Sequence, residues 1–442
     1  MKRQAGSASG PSTGPSTAAG LGIAAVAFVV RVVMWHALQP ATPIGDMKGY
    51  LRQAERVAAG QSYEDTFVPP GYPAVLGAAI RVSGGAGADR IPHAAGYLNA
   101  LLGGMTTLAV YLAASALWGG GVALTAAAVV ALDPSQVLYS TMLLSEPLAA
   151  ALVAGAVAAV LCGTPLIGAA IAGLFLGWAA LTRESISGLI PLFGLAVWRL
   201  RGWKPAAALA VVACLAILPW TVRNLTTSGP ILISSRTGYN LLVGNNPFAD
   251  GSQRGGKRIF LGENPPVPET LPAVERHFKG TAYALAWIKA NPVRFIRKGW
   301  LGALRMFGLE RQFPYSLREG YYARSGGRLG KLVLSAASMG PWLLMLPLAL
   351  LGLCVAPKAL RVLGIATVIW LLALGWIVFG EWRFRYPALP LFALLAVAGG
   401  QALIARRVVR GAGLLTGALM IPVVAYWAYE VLSKAQDAAV VK

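Results

Sequence analysis

Apolar residues run along this chain in long blocks, and the polar residues gather in the breaks between them. A hydrocarbon core of ~30 Å takes ~20 apolar residues as a helix. On that measure the pattern predicts about eleven spanning helices. They lie at 20–38, 94–117, 121–140, 146–162, 165–182, 186–200, 205–221, 332–355, 360–379, 386–404 and 411–430. Two stretches in the first long break, 46–59 (DMKGYLRQAERVAA) and 71–82 (GYPAVLGAAIRV), have helical spacing but are too short to span, so they read as interfacial helices. Residues 274–300 read as a further amphipathic helix on the membrane surface, interrupted at Asn291-Pro292. Residues 1–19 hold almost no large apolar side chain and read as a disordered cytoplasmic tail rather than a signal peptide.

Composition supports lipid as the solvent. Of 442 residues, 56% are hydrophobic and only 12% charged, about half the charge that covers a soluble domain. The net charge of +21 would suggest nucleic acid in a soluble protein. In a membrane chain it points to orientation signals and membrane lipids, so no nucleic-acid partner is expected. Cys162, Cys214 and Cys354 lie singly in apolar stretches, which argues against a disulfide framework or a zinc cluster.

The charges also set an expected sidedness. Lys2 and Arg3 precede the first span, and the short loops at Arg199/Arg201/Lys204, Lys358/Arg361 and Arg406/Arg407/Arg410 are all basic. Counting eleven spans from a cytoplasmic N-terminus puts all three loops inside, as the positive-inside rule requires. The two long polar segments, 39–92 and 222–330, then fall outside. The chain divides accordingly into the tail 1–19, a seven-helix module 20–221 containing the outside loop 39–92, the basic segment 222–330, and a four-helix region 331–442.

Four polar clusters fall on the outer side. Gly45-Asp46 with Tyr50 follows the first span, and there Asp46 either caps the next helix or carries chemistry. Ser145-Glu146-Pro147 suits a helix start. Arg183-Glu184 and Arg223-Asn224 end two spans; the first two residues would pair with each other, or their arginines would hold phosphate, whose oxygens match the guanidinium fork. Gly380-Glu381-Trp382-Arg383-Phe384-Arg385-Tyr386-Pro387 packs more charge and aromatic surface into an outer loop than topology needs, and reads as functional. Arg31, inside the first span, needs a partner or a snorkelling path. His36, His93 and His277 read as structural.

In order along the chain, GDMKGYLRQAERVAAGQSY (45–63), PPGYP (69–73), LSEP (144–147), LTRES (181–185), RNLTTSGPILISSRTGYNLLVGNNP (223–247), TAYALAWIKANPVRF (281–295) and GEWRFRYPALP (380–390) resemble the GT-C superfamily of polyprenyl-phosphate-dependent glycosyltransferases. Within it they look like the bacterial protein-mannosyltransferase and aminoarabinose-transferase branch. The resemblance implies an all-α polytopic membrane protein of the bacterial plasma (inner) membrane, with interfacial helices in the first outside loop and a mixed extracytoplasmic segment. It implies transfer of a sugar from a polyprenyl-phosphate-linked donor to a lipid, glycan or protein acceptor, with inversion. It maps catalytic acids onto Asp46, as base, and Glu146. Substrate contacts map onto Tyr50, Tyr72, Arg183, Arg223, Asn245, Glu381, Arg383 and Arg385. It implies no definite cofactor, and a divalent metal stays open: relatives carry a charged pair where this chain has Phe67 and Val68, and a second acid where it has Met47. The competing readings are a secondary transporter, which would show repeated halves and a midplane site, and a lipid flippase, which would leave Asp46 and the two loop arginines without a role.

Overall fold

The structure is a computed structural model and describes residues 16–63, 66–84, 91–262, 264–408 and 410–440, with side chains as far as 431. Most of the expected tail lies outside these residues; its last three, Thr17 to Ala19, open the first helix. The described residues form nineteen α-helices and three short 3-10 turns.

Eight helices are long and apolar enough to cross a membrane. They are α1 (Thr17–Leu38), α4 (His93–Trp118), α8 (Pro165–Thr182), α10 (Trp203–Ser228), α16 (Gly327–Val355), α17 (Lys358–Ile377), α18 (Leu389–Ile404, entered through the 3-10 turn Trp382–Ala388) and the apolar part of α19 (Arg410–Val440). These match eight of the eleven expected spans. The other three fall on shorter helices. Residues 121–140 break at Asp133-Pro134 into α5 (Gly120–Leu132) and α6 (Pro134–Tyr139). Residues 146–162 form α7 (Glu146–Cys162, 17 residues), and 186–200 form the turn Glu184–Gly188 followed by α9 (Leu189–Arg201, 13 residues).

The break at Asp133 supplies partners for backbone groups at both helix ends, as a membrane interior demands. The Asp133 carboxylate accepts from Ser135 N at 2.9 Å and Gln136 Nε2 at 3.0 Å, capping α6. Arg31 of α1 donates to Ala131 O at 3.0 Å and Val130 O at 3.1 Å, closing the end of α5. That is the partner this arginine lacked in the sequence. Small residues let spans approach closely: on α8, Gly173 and Gly177 face the Leu209 and Ala213 carbonyls of α10.

The polar segments form one cap at one end of the bundle. The first loop contributes α2 (Asp46–Ala58) and α3 (Gly71–Val82), packed on each other through Met47, Tyr50, Leu51 and Ala54 and through Tyr72, Leu76 and Ile80. Residues 222–330 contribute α11 (Arg236–Gly244), α12 (Gln253–Gly256), α13 (Ala273–Ala290), α14 (Pro292–Met306) and α15 (Gln312–Arg318). This segment is helical rather than mixed; among the described residues strand pairing is limited to one bridge, Pro40 to Tyr322. The helix over 274–300 is interrupted at Asn291 as its sequence predicts. Backbone bonds stitch the two segments together, among them Ser235 N to Thr66 O at 2.9 Å and Ala41 N to Tyr321 O at 2.8 Å.

Candidate active site

Asp46 is the first residue of α2, after Gly45 at φ 51°. Its side chain caps nothing. One carboxylate oxygen, Oδ2, lies 2.6 Å from Arg383 Nη2 and 3.7 Å from Arg236 Nη1. Burial alone would raise this carboxyl's pKa, but Arg236 and Arg383 outweigh it and hold Asp46 well below the usual carboxylate range. Burial likewise pulls Arg236 down, and Asp46 more than offsets it, so the guanidinium stays charged.

A second acid stands behind the first. Glu146, at the start of α7, is fully buried. Its Oε1 lies 2.7 Å from Arg183 Nη1 and 3.9 Å from Arg383 Nε. Ser145 does not cap α7; its hydroxyl accepts from Arg183 Nη1 at 3.2 Å and bonds Tyr50 Oη at 3.1 Å. The charges thus alternate, Asp46 to Arg383 to Glu146 to Arg183. The expected pairing of Arg183 with Glu184 is replaced by this one, and Glu184 Oε1 accepts from Asn240 Nδ2 at 3.1 Å. Backbone geometry separates the two neighbours: α8 ends at Arg183 in extended conformation and turns into the 3-10 helix that carries Glu184.

These groups open onto a cavity of about 640 Å³. Leu192 of α9 and Trp370, Ala373, Leu374 and Ile377 of α17 form an apolar wall. Elsewhere in the lining, five cations (Arg183, Arg236, Lys257, Arg276, Arg383) face three carboxylates (Asp46, Glu184, Glu269). The excess of positive charge suits an anionic ligand. Arg236 has donors to spare: its Nε is buried without a hydrogen-bond partner, and its guanidinium rests on the Phe67 ring at 4.8 Å. Arg276 lies over the same ring at 5.2 Å. Tyr239 Oη donates to Glu269 Oε1 at 3.1 Å beside it.

Of the residues expected from sequence, Asp46, Tyr50, Arg183 and Arg383 line this cavity. Glu146 and Tyr72 stand one layer back; Tyr72 bonds Asn99 Oδ1 at 3.2 Å and meets the Tyr50 ring edge-on at 5.5 Å. The other four are engaged elsewhere. Arg223 donates to the Tyr63 carbonyl and stacks on Trp220 at 4.9 Å. Arg385 donates to Met306 O and Gly308 O and covers Trp342. Asn245 and Lys298 both donate to Ile377 O, closing the end of α17. Glu381 is half-buried, accepts from the Gln253 backbone, and is raised by burial.

Arg236, Asn240, Lys257, Glu269 and Arg276 were not singled out. Arg236, Tyr239 and Asn240 do carry a readable signal: at i, i+3 and i+4 they share one helix face. A divalent ion does not fit this arrangement. Among the described residues there is no group of three or more His, Cys, Asp or Glu side chains able to hold one, and guanidinium groups lie against both Asp46 and Glu146, where a second cation would be repelled.

No protein-family model matches the chain, and no curated protein matches it. Solved structures do. The apo crystal structure of an Archaeoglobus fulgidus oligosaccharyltransferase aligns over 94% of this chain at 17% identity, with a TM-score of 0.50. A second structure, the archaeal oligosaccharyltransferase AglB from the same organism with an inhibitory peptide and a dolichol-phosphate, aligns over 94% at 15% identity and a TM-score of 0.43. The chain spans 56% and 55% of the lengths of these proteins. At such identity the first match shows a shared fold: a polytopic helical membrane architecture, as the GT-C resemblance implies.

Proposed function

We propose that this protein is a membrane glycosyltransferase that moves a sugar from a polyprenyl-phosphate donor to an acceptor hydroxyl, with inversion. The observation that carries this reading is Asp46 held between Arg383 and Arg236 at the edge of a cation-rich cavity with an apolar wall. The wall suits a lipid chain and the arginines suit its phosphate. The donor phosphate competes with Asp46 for Arg236 and Arg383. Once they turn to it, Asp46 loses the charges that depress its basicity and becomes the general base. It takes the acceptor proton, the oxygen attacks the anomeric carbon, and the bond from that carbon to the phosphate oxygen breaks with its electron pair on the carrier phosphate. The arginines stabilise the charge that develops there. Glu146, fully buried, holds Arg183 and Arg383 in place rather than touching substrate.

The reading includes eleven crossings in the plasma (inner) membrane, a cytoplasmic N-terminus and an extracytoplasmic site; lipid, glycan and protein acceptors all remain within it. One of the short helices bears on the count. Glu146, at the start of α7, meets Arg183 at the cavity end, and Gly163, just past the other end of α7, accepts from Arg201 at the end of α9, 2.8 Å away, which supports a crossing by α7.

The test is to incubate the purified protein with a panel of polyprenyl-phosphate sugars and measure release of the carrier phosphate. Release by the wild type, abolished in Asp46→Asn that still inserts, supports the proposal. Full activity of Asp46→Asn removes Asp46 from the base role.

A further inference from the structure

His277 has no part in the chemistry proposed above, yet it sits against the helix that presents much of the site. That helix, α11, carries Arg236, Tyr239 and Asn240 into the cavity. The first backbone N–H groups of any helix lack partners within it. In α11, Arg236 N donates to Ser234 Oγ at 3.1 Å. Gly238 N donates instead to His277 Nδ1 of α13, at 3.0 Å. An imidazole can accept there only with Nδ1 unprotonated. The same nitrogen lies 3.3 Å from the Ser235 carbonyl. That carbonyl can bond only to a protonated Nδ1. One atom thus stands between a backbone donor and a backbone acceptor, and its proton decides which one it serves. The two helices are held close, since a Cβ on Gly238 would meet His277 O at 2.2 Å.

We infer that His277 is a positioning residue whose neutral imidazole caps α11 from outside the helix, and whose protonation releases Gly238 and loosens the seat of Arg236. Above the imidazole's pKa the cap is intact; below it Nδ1–H turns to Ser235 O and Gly238 N–H loses its acceptor. Burial pulls that pKa below its ordinary 6.5, against a smaller opposing effect of the Ser235 carbonyl, so the cap is intact at neutral pH and is lost on acidification. The charged groups on the packed elements are otherwise engaged. Arg236 turns to Asp46, Arg276 donates to Glu269 O, Glu269 accepts from Tyr239, and Glu275 pairs with Lys279 at 2.8 Å.

The link to donor binding rests on the function proposed above; the cap itself does not. Full-length protein in lipid nanodiscs is compared at pH 7.5 and 5.5, as wild type and as His277→Asn, whose amide oxygen is an acceptor at both values. Hydrogen exchange at the Gly238 amide, corrected for intrinsic rate, should accelerate in acid in the wild type and not in the variant. The dissociation constant of farnesyl phosphate should weaken in acid about five-fold more in the wild type, the factor that loss of one helix cap supplies. The probe's own phosphate titrates in the same window in both proteins and cancels in that ratio. Equal acid responses in the two proteins overturn the inference. If farnesyl phosphate binds at neither pH while exchange still follows His277, the cap stands and the donor reading fails. His277→Gln serves if the asparagine variant does not fold, and the wild-type exchange profile needs no variant.

Discussion

At the scale of single residues, the site separates arginines that are committed to protein partners from those that are not. Four arginines were expected from sequence to bind phosphate: Arg183, Arg223, Arg383 and Arg385. All are placed beside helix ends, but only the fold tells where each guanidinium goes. Arg223 and Arg385 spend their donors on backbone carbonyls. Arg236 lies within the 223–247 motif without having been picked out as a phosphate ligand, and it proves to be a cation with a free donor beside Asp46. Sequence reads residue type and order well; it does not read the direction of a long side chain. The contrast gives a prediction. Arg236→Met should cut transfer by about 10²-fold, the loss seen when one preorganised charge stabiliser is removed. Arg223→Gln should leave kcat within about three-fold, because its contacts anchor the Tyr63 loop outside the cavity, and surface contacts are worth little. Steady-state carrier-phosphate release decides it; equal losses in both variants would deny Arg236 a special place.

At the scale of elements, most of the helices were legible. The two amphipathic helices of the first loop and the interruption at Asn291-Pro292 follow from spacing and from proline geometry, which are local. The break inside 121–140 was missed because apolar residues surround it on both sides. Its signal was nonetheless there: Asp133 followed by Pro134 is a cap and a first helical turn. The helical content of 222–330 was also under-read, since a basic, Gly- and Pro-rich segment has weak periodicity and is held by tertiary bonds. The break at Asp133 makes Arg31 a structural necessity of α5. Arg31→Met should strand the Val130 and Ala131 carbonyls in the bundle interior, each costing about 1–3 kcal/mol. The melting temperature in detergent should drop by several degrees, a few kcal/mol being worth that much in a chain of this size. The unchanged Tm of an Arg31→Met protein would show that other donors reach those carbonyls.

At the scale of the whole molecule, the expected sidedness ties the pieces together, and two observations combine in it. One is loop charge, read from sequence. The other is where the site sits along the bundle. The C-terminal ends of α8 and α17 and the 3-10 turn leading into α18 all supply cavity residues, namely Thr182, Ile377 and Arg383. The opposite ends of the same helices, and the α9–α10 junction, carry Lys358, Arg361, Arg199, Arg201, Lys204, Arg406 and Arg407. The basic short loops and the cavity therefore occupy opposite ends of the molecule, and a cytoplasmic location for the first places the second outside. An outside location would suit the proposed donor, a lipid whose phosphate sits at the headgroup level. Single cysteines in a background with Cys162, Cys214 and Cys354 replaced by serine test it directly. A membrane-impermeant maleimide applied to intact cells should label Lys257→Cys, at the cavity mouth, and should reach Lys204→Cys only after permeabilisation. The reverse pattern would invert the protein and set the proposed donor on the cytoplasmic leaflet, while leaving the geometry around Asp46 unchanged.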